Sequence, residues 1–355
     1  MSGNQKTVAI IGTGMAGLGA ARALLQAGCH VNLYEKSRGV GGRVATRRVE
    51  GRIFDHGAQI LKTTGFALDV LMREQLPSTG LLEVTAPIIP FASDGTRRAI
   101  DPLRGSEPKY AYAEGITILP KMMAANCKEL GGVFFMETHI ARFEERSSGV
   151  TLFDLDGGKV GEADALVITA PAPQTADIIE ASEMRDPSAK AAQISALRTV
   201  MYRPCLSVLL GYERFKSAND VYALIAEDKN SPLLWAAFES MKSHTRAPKG
   251  ETLLIAQFGG NFSREKYDCP DEVVIQETLR ALRPLFGAES DSPLSFAEVK
   301  RWRYSQPIGM VAFSTVNPAP SLVVVAGDAL RPDNGRVHQA YESGLEAAAF
   351  LLGSG

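Results

Sequence analysis

Gly12-Thr13-Gly14-Met15-Ala16-Gly17 places three glycines in the GxGxxG spacing, and an acid, Glu35, stands at the end of the next apolar run. Gly12 permits a tight turn, Gly14 lets backbone approach a pyrophosphate, and Gly17 lets a helix pack close to a strand. Unpaired N–H groups at that helix start, around Met15 and Ala16, favour phosphate. Glu35 can accept hydrogen bonds from both hydroxyls of an adenosine ribose and would repel a 2′-phosphate. The chemistry read here is binding of an unphosphorylated adenosine dinucleotide. The motif does not separate a nicotinamide from a flavin.

The elements around the motif fit that task. Thr7 to Ile11 is a short β-branched run, and Met15 to Gln26 carries apolar residues at helical spacing until Gly28 stops it. Val31 to Tyr34 reads as a second strand. Parallel strands joined by a helix predict a doubly wound α/β sheet. His139 to Phe143, Val150 to Leu155 and a third strand after the Asp156-Gly157-Gly158 turn predict a β-meander. Ala165 to Thr169 is a buried strand ended by Pro171 and Pro173. Leu322 to Ala326 is another, followed by Gly327-Asp328 and a helix from about Val337 to Leu352. Between these lie strands at Leu206 to Leu210, Thr252 to Phe258 and Phe296 to Tyr304, and an amphipathic helix near Val273 to Phe286. This middle material has antiparallel character.

Directly after the second strand comes a basic, glycine-rich loop, Glu35-Lys36-Ser37-Arg38-Gly39-Val40-Gly41-Gly42-Arg43. Gly41 and Gly42 allow close backbone approach to phosphate, and Arg43 adds a charge-assisted contact. The plainer alternative is a solvated basic loop. With this loop the chain resembles the flavin-containing amine oxidase superfamily, whose members carry a GGR element here. It is most similar to the renalase type of that superfamily, through Ser37 to Arg43 with Thr46-Arg47-Arg48, and through Asp55-His56-Gly57-Ala58-Gln59. Further likeness lies in Thr169-Ala170-Pro171-Ala172-Pro173-Gln174, and in Gly327-Asp328 with Val337, Ala340, Ser343 and Gly344. Ser231 to Trp235 and Arg301-Trp302 are weaker echoes.

The resemblance implies a fold: a Rossmann-like FAD-binding domain of the glutathione-reductase and amine-oxidase type, with an inserted α+β substrate domain containing an antiparallel sheet. Residues 1–60, 115–180 and 320–355 would form the first, and 61–114 with 181–319 the second. It also implies non-covalent FAD, since no cysteine follows Cys269. Lys36, Arg38, Gly42 and Arg43 would contact the cofactor. His56, Gly57, Ala58 and Gln59 would approach the isoalloxazine. Ile140 in the His139-Ile140-Ala141 strand would meet the adenine, and Pro171 would border the cofactor. Gly327 and Asp328 would contact the ribityl and phosphate part, with Val337 and Ala340 opening the helix behind. Residue-level alternatives stay open: an ordinary glycine turn at Gly57, a helix N-cap at Asp328.

The implied activity is that of an oxidase taking a hydride from a small substrate at flavin N5, with O2 regenerating the flavin and giving H2O2. The implied substrate is a 2- or 6-dihydro isomer of NAD(P)H. Such a ring already holds a transferable hydride, so no strong base is needed and none is assigned. Ile60 stands where renalases usually carry an aromatic residue, which keeps an amine oxidase or desaturase-like reaction on a secondary metabolite open. A flavin-binding protein without turnover is the reading from another class. Gln59, Ile60, Trp235, Trp302 and Tyr304 are candidate pocket residues, with core packing the alternative for the aromatics. His338, at the start of the last helix, is a proton donor or a surface residue. Arg47-Arg48 and Arg97-Arg98 attract a pyrophosphate or are simply solvated.

Composition narrows the classes. A chain of 355 residues, at about 150 per domain, predicts two domains. With 45% hydrophobic and 22% charged residues it is neither disordered nor collagen-like. A formal charge of −2 lacks the footprint of a nucleic-acid binder. No apolar run approaches the ~18 residues of a spanning helix, and Met1 to Thr7 is too polar for a secretory signal. Cys29, Cys127, Cys205 and Cys269 form no CxxC pair, and the histidines form no metal motif. The expectation is a cytoplasmic protein, monomer or homodimer, without metal, nucleic acid or membrane, whose partners are a small molecule and O2.

Overall fold

The computed structural model describes residues 5–62, 66–100, 107–215, 220–332 and 335–353. The first four residues of the polar start lie outside them. Five parallel strands form the sheet that the glycine motif requires. Their order is Val323–Val325, Ala165–Ile168, Thr7–Ile11, His30–Tyr34 and Val133–Phe135. All of Val8 to Ile11 and all of Ala165–Ile168 are buried, as strands covered on both faces must be. The helix Met15–Gln26 covers one face together with the terminal helix Val337–Gly353, and both belong to the same apolar cluster.

The register brings the carboxyl ends of four strands level. Ile11 pairs with Tyr34 on one side and Ile168 on the other, and Ile168 pairs with Val325. Gly12, Glu35, Thr169 and the Ala326-Gly327 turn therefore leave the sheet at one edge, where doubly wound sheets bind ligands.

The meander is antiparallel, formed by Arg142–Arg146, Gly149–Phe153 and Lys159–Ala163. Its first strand starts later than the sequence predicts. Thr138 N donates to the Glu35 carbonyl at 2.8 Å and ties the chain before His139 to the parallel sheet; Ala141 N already donates to the Phe153 carbonyl of the meander at 2.9 Å, with His139 and Ile140 as irregular backbone between. Its second strand ends early because Asp154 Oδ1 accepts from Asp156 N and Gly158 N at 3.0 and 2.7 Å, starting the turn.

The middle of the chain builds a six-stranded sheet. Its order is Leu294–Ile308, Met201–Tyr212, Thr252–Phe258, Leu233–Phe238, Ala223–Ala226 and Ile88–Phe91. All neighbours are antiparallel except the last pair, which is parallel. Leu206, Val208 and Leu210 pack on one face with Phe238 and with Leu282 and Phe286 of the helix Asp271–Phe286. The opposite face carries Leu209, Leu253 and Ile255, which close over Phe54. Phe54 belongs to the hairpin Thr46–Val49/Arg52–Asp55, turned by Glu50 and Gly51, both at positive φ. Phe54 stacks on Phe296 at 5.6 Å. That contact fixes the hairpin against the long strand Leu294–Ile308 and sets His56 beside Trp302.

Candidate active site

A cavity of ≈1190 Å³ runs from the carboxyl edge of the parallel sheet to the six-stranded sheet. At the sheet edge the chain turns at Gly12 and starts the helix at Met15. A Cβ on Gly17 would sit 2.0 Å from the Gly12 carbonyl oxygen, so only glycine lets this helix approach its strand. A Cβ on Gly14 would meet nothing within 4 Å, leaving open space over the helix start. Gly41 N donates to the Thr13 carbonyl at 2.9 Å, so the two glycine-rich segments lie side by side. Gly12, Gly14, Met15, Ala16 and Gly42 all border the cavity, whereas Gly17 serves the packing behind it.

Glu35 is preset by its neighbours. Oε2 accepts from Thr13 N and Thr13 Oγ1 at 2.9 and 2.8 Å, and Oε1 accepts from Ser37 N at 2.9 Å. Oε1, with one bond, keeps acceptor capacity for a further donor. Lys36, Arg38, Ile140 and Pro171 border this same half of the cavity.

The other half is built on Arg43. Its guanidinium makes two bonds to Asp328, at 2.6 and 2.7 Å, and a third to the Ser305 carbonyl at 3.0 Å. Sequence reasoning gives both residues to the cofactor; the structure pairs them with each other, and both still border the cavity. Gly327 N donates to Ser343 Oγ at 2.9 Å, which joins the Asp328 turn to the terminal helix, and Val337 and Ala340 of that helix line the wall. Gly57 lies on the backbone of Arg43: a Cβ there would be 2.0 Å from the Arg43 carbonyl oxygen.

His56, Gly57 and Ala58 border the cavity together with Trp302 and Tyr304. The rings of His56 and Trp302 stack at 5.3 Å with 21° between their planes, and Trp302 Nε1 donates to the His56 carbonyl at 2.8 Å. Tyr304 meets Tyr202 edge-on at 5.6 Å. Burial first, and then the charge of Lys300, bring the His56 imidazole down to about 4, so it is neutral at pH 7.

Gln59, Ile60 and Trp235 are not brought to this wall. Gln59 is buried, donating to the Asp55 carbonyl and facing Lys242 Nζ at 3.5 Å. Ile60 and Trp235 pack around Tyr222, with Trp235 edge-on to it at 5.8 Å. Each has a local cause: Gln59 is held inward by the Asp55 carbonyl and Lys242, and Trp235 stands on the sheet side that faces Val84 and Ala111. Arg47 pairs with Glu298 at 2.9 Å, Arg48 reaches the Glu114 carbonyl, and Arg98 pairs with Glu227 at 3.6 Å. His338 is the second residue of the terminal helix and does not border the cavity.

Sequence reasoning missed what holds the wall from behind. Asp55, Glu239, Lys242 and Arg246 form a buried four-charge cluster whose formal charges cancel. Lys242 Nζ lies 3.0 Å from Asp55 and 3.1 Å from Glu239, and Arg246 bonds both carboxylates and the Tyr112 carbonyl. The Glu239, Lys242, Arg246 spacing was the available signal. Gln257 was missed too; its Nε2 donates to the Gly57 carbonyl at 3.0 Å.

The flavin-containing amine oxidoreductase family matches residues 97–352, and an NAD(P)-binding Rossmann-like domain matches residues 10–73. The chain belongs to the flavin-containing amine oxidoreductase family. FAD is accordingly its cofactor, and the chain is an FAD-dependent oxidoreductase. The fold is shared with a triple mutant of putrescine oxidase, at 15% identity and a TM-score of 0.76 over 99% of each chain. It is shared as well with a putative protoporphyrinogen oxidase from Exiguobacterium sp. 255-15, at 13% identity and a TM-score of 0.76 over 98% of this chain and 99% of that one. A local match, 45% identical over 58 residues, joins the chain to 4,4'-diaponeurosporene oxygenase of Staphylococcus haemolyticus. It spans 16% of this chain and only 12% of that protein. Among the described residues, no helix is long and apolar enough to cross a membrane, and no metal-holding group is found.

Proposed function

We propose that this chain is a renalase-like oxidase that accepts a hydride from a 2- or 6-dihydro isomer of NAD(P)H. FAD, when bound, takes the hydride and passes the electrons to O2, giving H2O2. Residues 1–60, 115–180 and 320–355 form the cofactor domain in this reading, and 61–114 with 181–319 the substrate domain. Gly12, Gly14, Met15 and Ala16 hold the pyrophosphate with Gly42, and Glu35 holds the adenosine ribose. Lys36 and Arg38 add positive charge, and Ile140 and Pro171 border the adenine. His56, Gly57 and Ala58 meet the ring. Gly327, Asp328, Val337 and Ala340 hold its far side, with Arg43 fixing Asp328. Attachment is non-covalent, because no cysteine borders the cavity among the described residues. The protein works in the reduced cytoplasm as a monomer or homodimer, in keeping with its four free cysteines.

One observation supports the substrate. Where Trp302 walls the cavity, the carboxylates around it among the described residues are already matched: Asp328 by Arg43, and Asp55 and Glu239 by Lys242 and Arg246. Glu298 is shared by Arg47 and Lys300. None of these carboxylates waits for an ammonium group, whereas the flat, uncharged His56–Trp302 pair suits a neutral ring. Trp302 and Tyr304 position such a ring and exclude water from it.

An amine is the second reading, favoured by family membership and by the shared fold with putrescine oxidase. Anaerobic mixing with 2- and 6-dihydronicotinamide nucleotides, ordinary 4-dihydro NADH and a set of amines decides between them by flavin absorbance. Bleaching by the 2- or 6-isomers alone is expected. Bleaching by amines only would overturn the nucleotide reading, and no bleaching by any reductant would overturn both.

A further inference from the structure

His56 is held unusually firmly for a side chain at the end of a hairpin. Its carbonyl accepts from Trp302 Nε1 at 2.8 Å and lies 3.4 Å from Gln257 Nε2. The residue before it, Asp55, is anchored in the buried charge cluster, and the residue after it, Gly57, presses on Arg43. Its ring is stacked on Trp302. Stacking alone could be done by phenylalanine. The imidazole instead carries Nδ1 into a buried place where it has no hydrogen-bond partner. An unpaired buried polar atom costs about 1–3 kcal/mol and calls for a compensating role.

The unpaired atom also favours one tautomer. A buried N–H without an acceptor is the rarer and costlier defect; a bare acceptor is better tolerated. The ring proton therefore sits on Nε2, on the edge away from the buried Nδ1. The charged groups acting on the ring are Asp55, Glu298, Lys300 and Arg47. Burial and the two cations outweigh the two carboxylates, so no second proton is added near pH 7. The result is an uncharged donor on a residue that borders the cavity.

We propose that His56 is a substrate-binding residue, whose Nε2–H donates a hydrogen bond to a carbonyl or carboxamide oxygen on a flat ring bound at the Trp302 wall. The ring is the dihydronicotinamide of the function proposed above, and the inference rests on that reading for the identity of the ring. A neutral donor fixes which way the carboxamide turns, and so which ring carbon faces the flavin. The same donor has no acceptor function to offer an ammonium group on that edge, which selects against protonated amines.

The test begins without turnover. In the FAD-loaded protein with 15N-labelled histidine, long-range 1H–15N spectra near pH 7 should show His56 as the Nε2–H neutral form. Saturating NAD+, and free nicotinamide separately, should shift that Nε2–H resonance. An Nδ1–H form, an imidazolium, or a resonance indifferent to both probes would overturn the proposal. Two variants add a functional arm. His56→Phe keeps a stacked ring and loses the donor; His56→Gln keeps a donor. NAD+ affinity, measured per bound flavin, should fall about tenfold in the first and much less in the second, as one neutral hydrogen bond predicts. Equal affinity in His56→Phe and wild type would overturn the role.

Failure of the substrate reading looks different. If dihydronicotinamide isomers do not bleach the wild-type flavin, yet free nicotinamide still shifts the Nε2–H signal, the donor role stands and the substrate identity falls. If the isomers bleach the flavin in His56→Phe with wild-type KM, the role falls and the substrate reading stands.

Discussion

Arg43 and Asp328 are 285 positions apart and meet in a two-pronged ion pair, Nη1 to Oδ2 at 2.6 Å and Nη2 to Oδ1 at 2.7 Å. The pair joins the glycine-rich loop after the second strand to the turn after the last one, across the cavity. Asp328 is almost fully buried and Arg43 is 31% exposed, so the pair gains more than a surface bridge and less than a fully buried one. Asp328→Asn keeps the shape and removes the charge, leaving Arg43 with one neutral amide oxygen and the Ser305 carbonyl. We expect about 1–2 kcal/mol less stability and a lower flavin content on purification. Unchanged thermal unfolding together with full flavin would show that the pair holds nothing.

Gly57→Ala tests the close approach next to the pair. The added methyl would meet the Arg43 carbonyl oxygen at 2.0 Å and its carbon at 3.0 Å, both backbone atoms that cannot rotate aside. The segment from His56 to Ala58 must move off Arg43. We expect native-like circular dichroism with a displaced flavin absorption spectrum or lost flavin. A wild-type spectrum at wild-type occupancy would mean that the segment does not contact the ring.

Much of this frame is legible in the sequence, and the reason is local. Gly12 to Gly17, Glu35 and the loop to Arg43 each carry their task in their own residue types, so strand, helix and ligand end could be read without tertiary information. Trp302 and Tyr304 could be placed on one strand face by alternation alone. What was illegible depends on partners far along the chain. Nothing near Arg43 announces Asp328, and nothing near Asp55 announces Lys242 and Arg246. Gln59 and Trp235 have the right chemistry for a pocket, but the charge cluster and Tyr222 claim them. The late start of the meander follows from one backbone bond, Thr138 N to the Glu35 carbonyl, which no pattern of side chains encodes.

Glu35 has a double role that two variants separate. Its carboxylate accepts three bonds from Thr13 and Ser37 and so orders the loops around it before any ribose arrives. Glu35→Ala loses both loop order and ribose contact, whereas Glu35→Gln keeps the size and part of the acceptor set. Titration of apoprotein with FAD should show at least about a tenfold weaker Kd for the alanine variant, equivalent to about 1.4 kcal/mol, and a smaller loss for glutamine. Full flavin retention in Glu35→Ala would remove the ribose assignment.

The buried cluster should behave as a unit. Lys242→Met leaves Asp55 and Glu239 with Arg246 alone, an uncompensated negative charge in a fully buried place. Removing one partner of a buried ion pair costs about 3–5 kcal/mol. Urea unfolding should show a loss of that order, and the backbone of Asp55 to Gln59 should lose amide protection first. A loss below about 1 kcal/mol would mean that solvent reaches the cluster.

Acid should unfold the protein in two stages, each traceable to one of these neighbours. Burial pulls the His56 imidazole down to about 4, helped by Lys300. The unfolded chain therefore takes that proton first, and stability falls as pH drops from about 6.5 to about 4, by up to about 3 kcal/mol. Asp55 follows. Burial alone would raise its carboxyl, but Lys242 and Arg246 outweigh that and hold it at about 2, with the Ile116 N–H assisting. Its ionised form stabilises the fold above about pH 4, and that contribution, about 2 kcal/mol, is lost as pH falls toward 2. Urea midpoints measured across this range should give a plateau near neutrality and two successive declines. In His56→Phe the upper decline should vanish while the lower one remains, because Asp55 keeps both its cations. A wild-type profile that is flat from pH 7 to pH 5 would show that His56 ionises like an exposed histidine, and the neutral donor inferred for the cavity wall would fall with it.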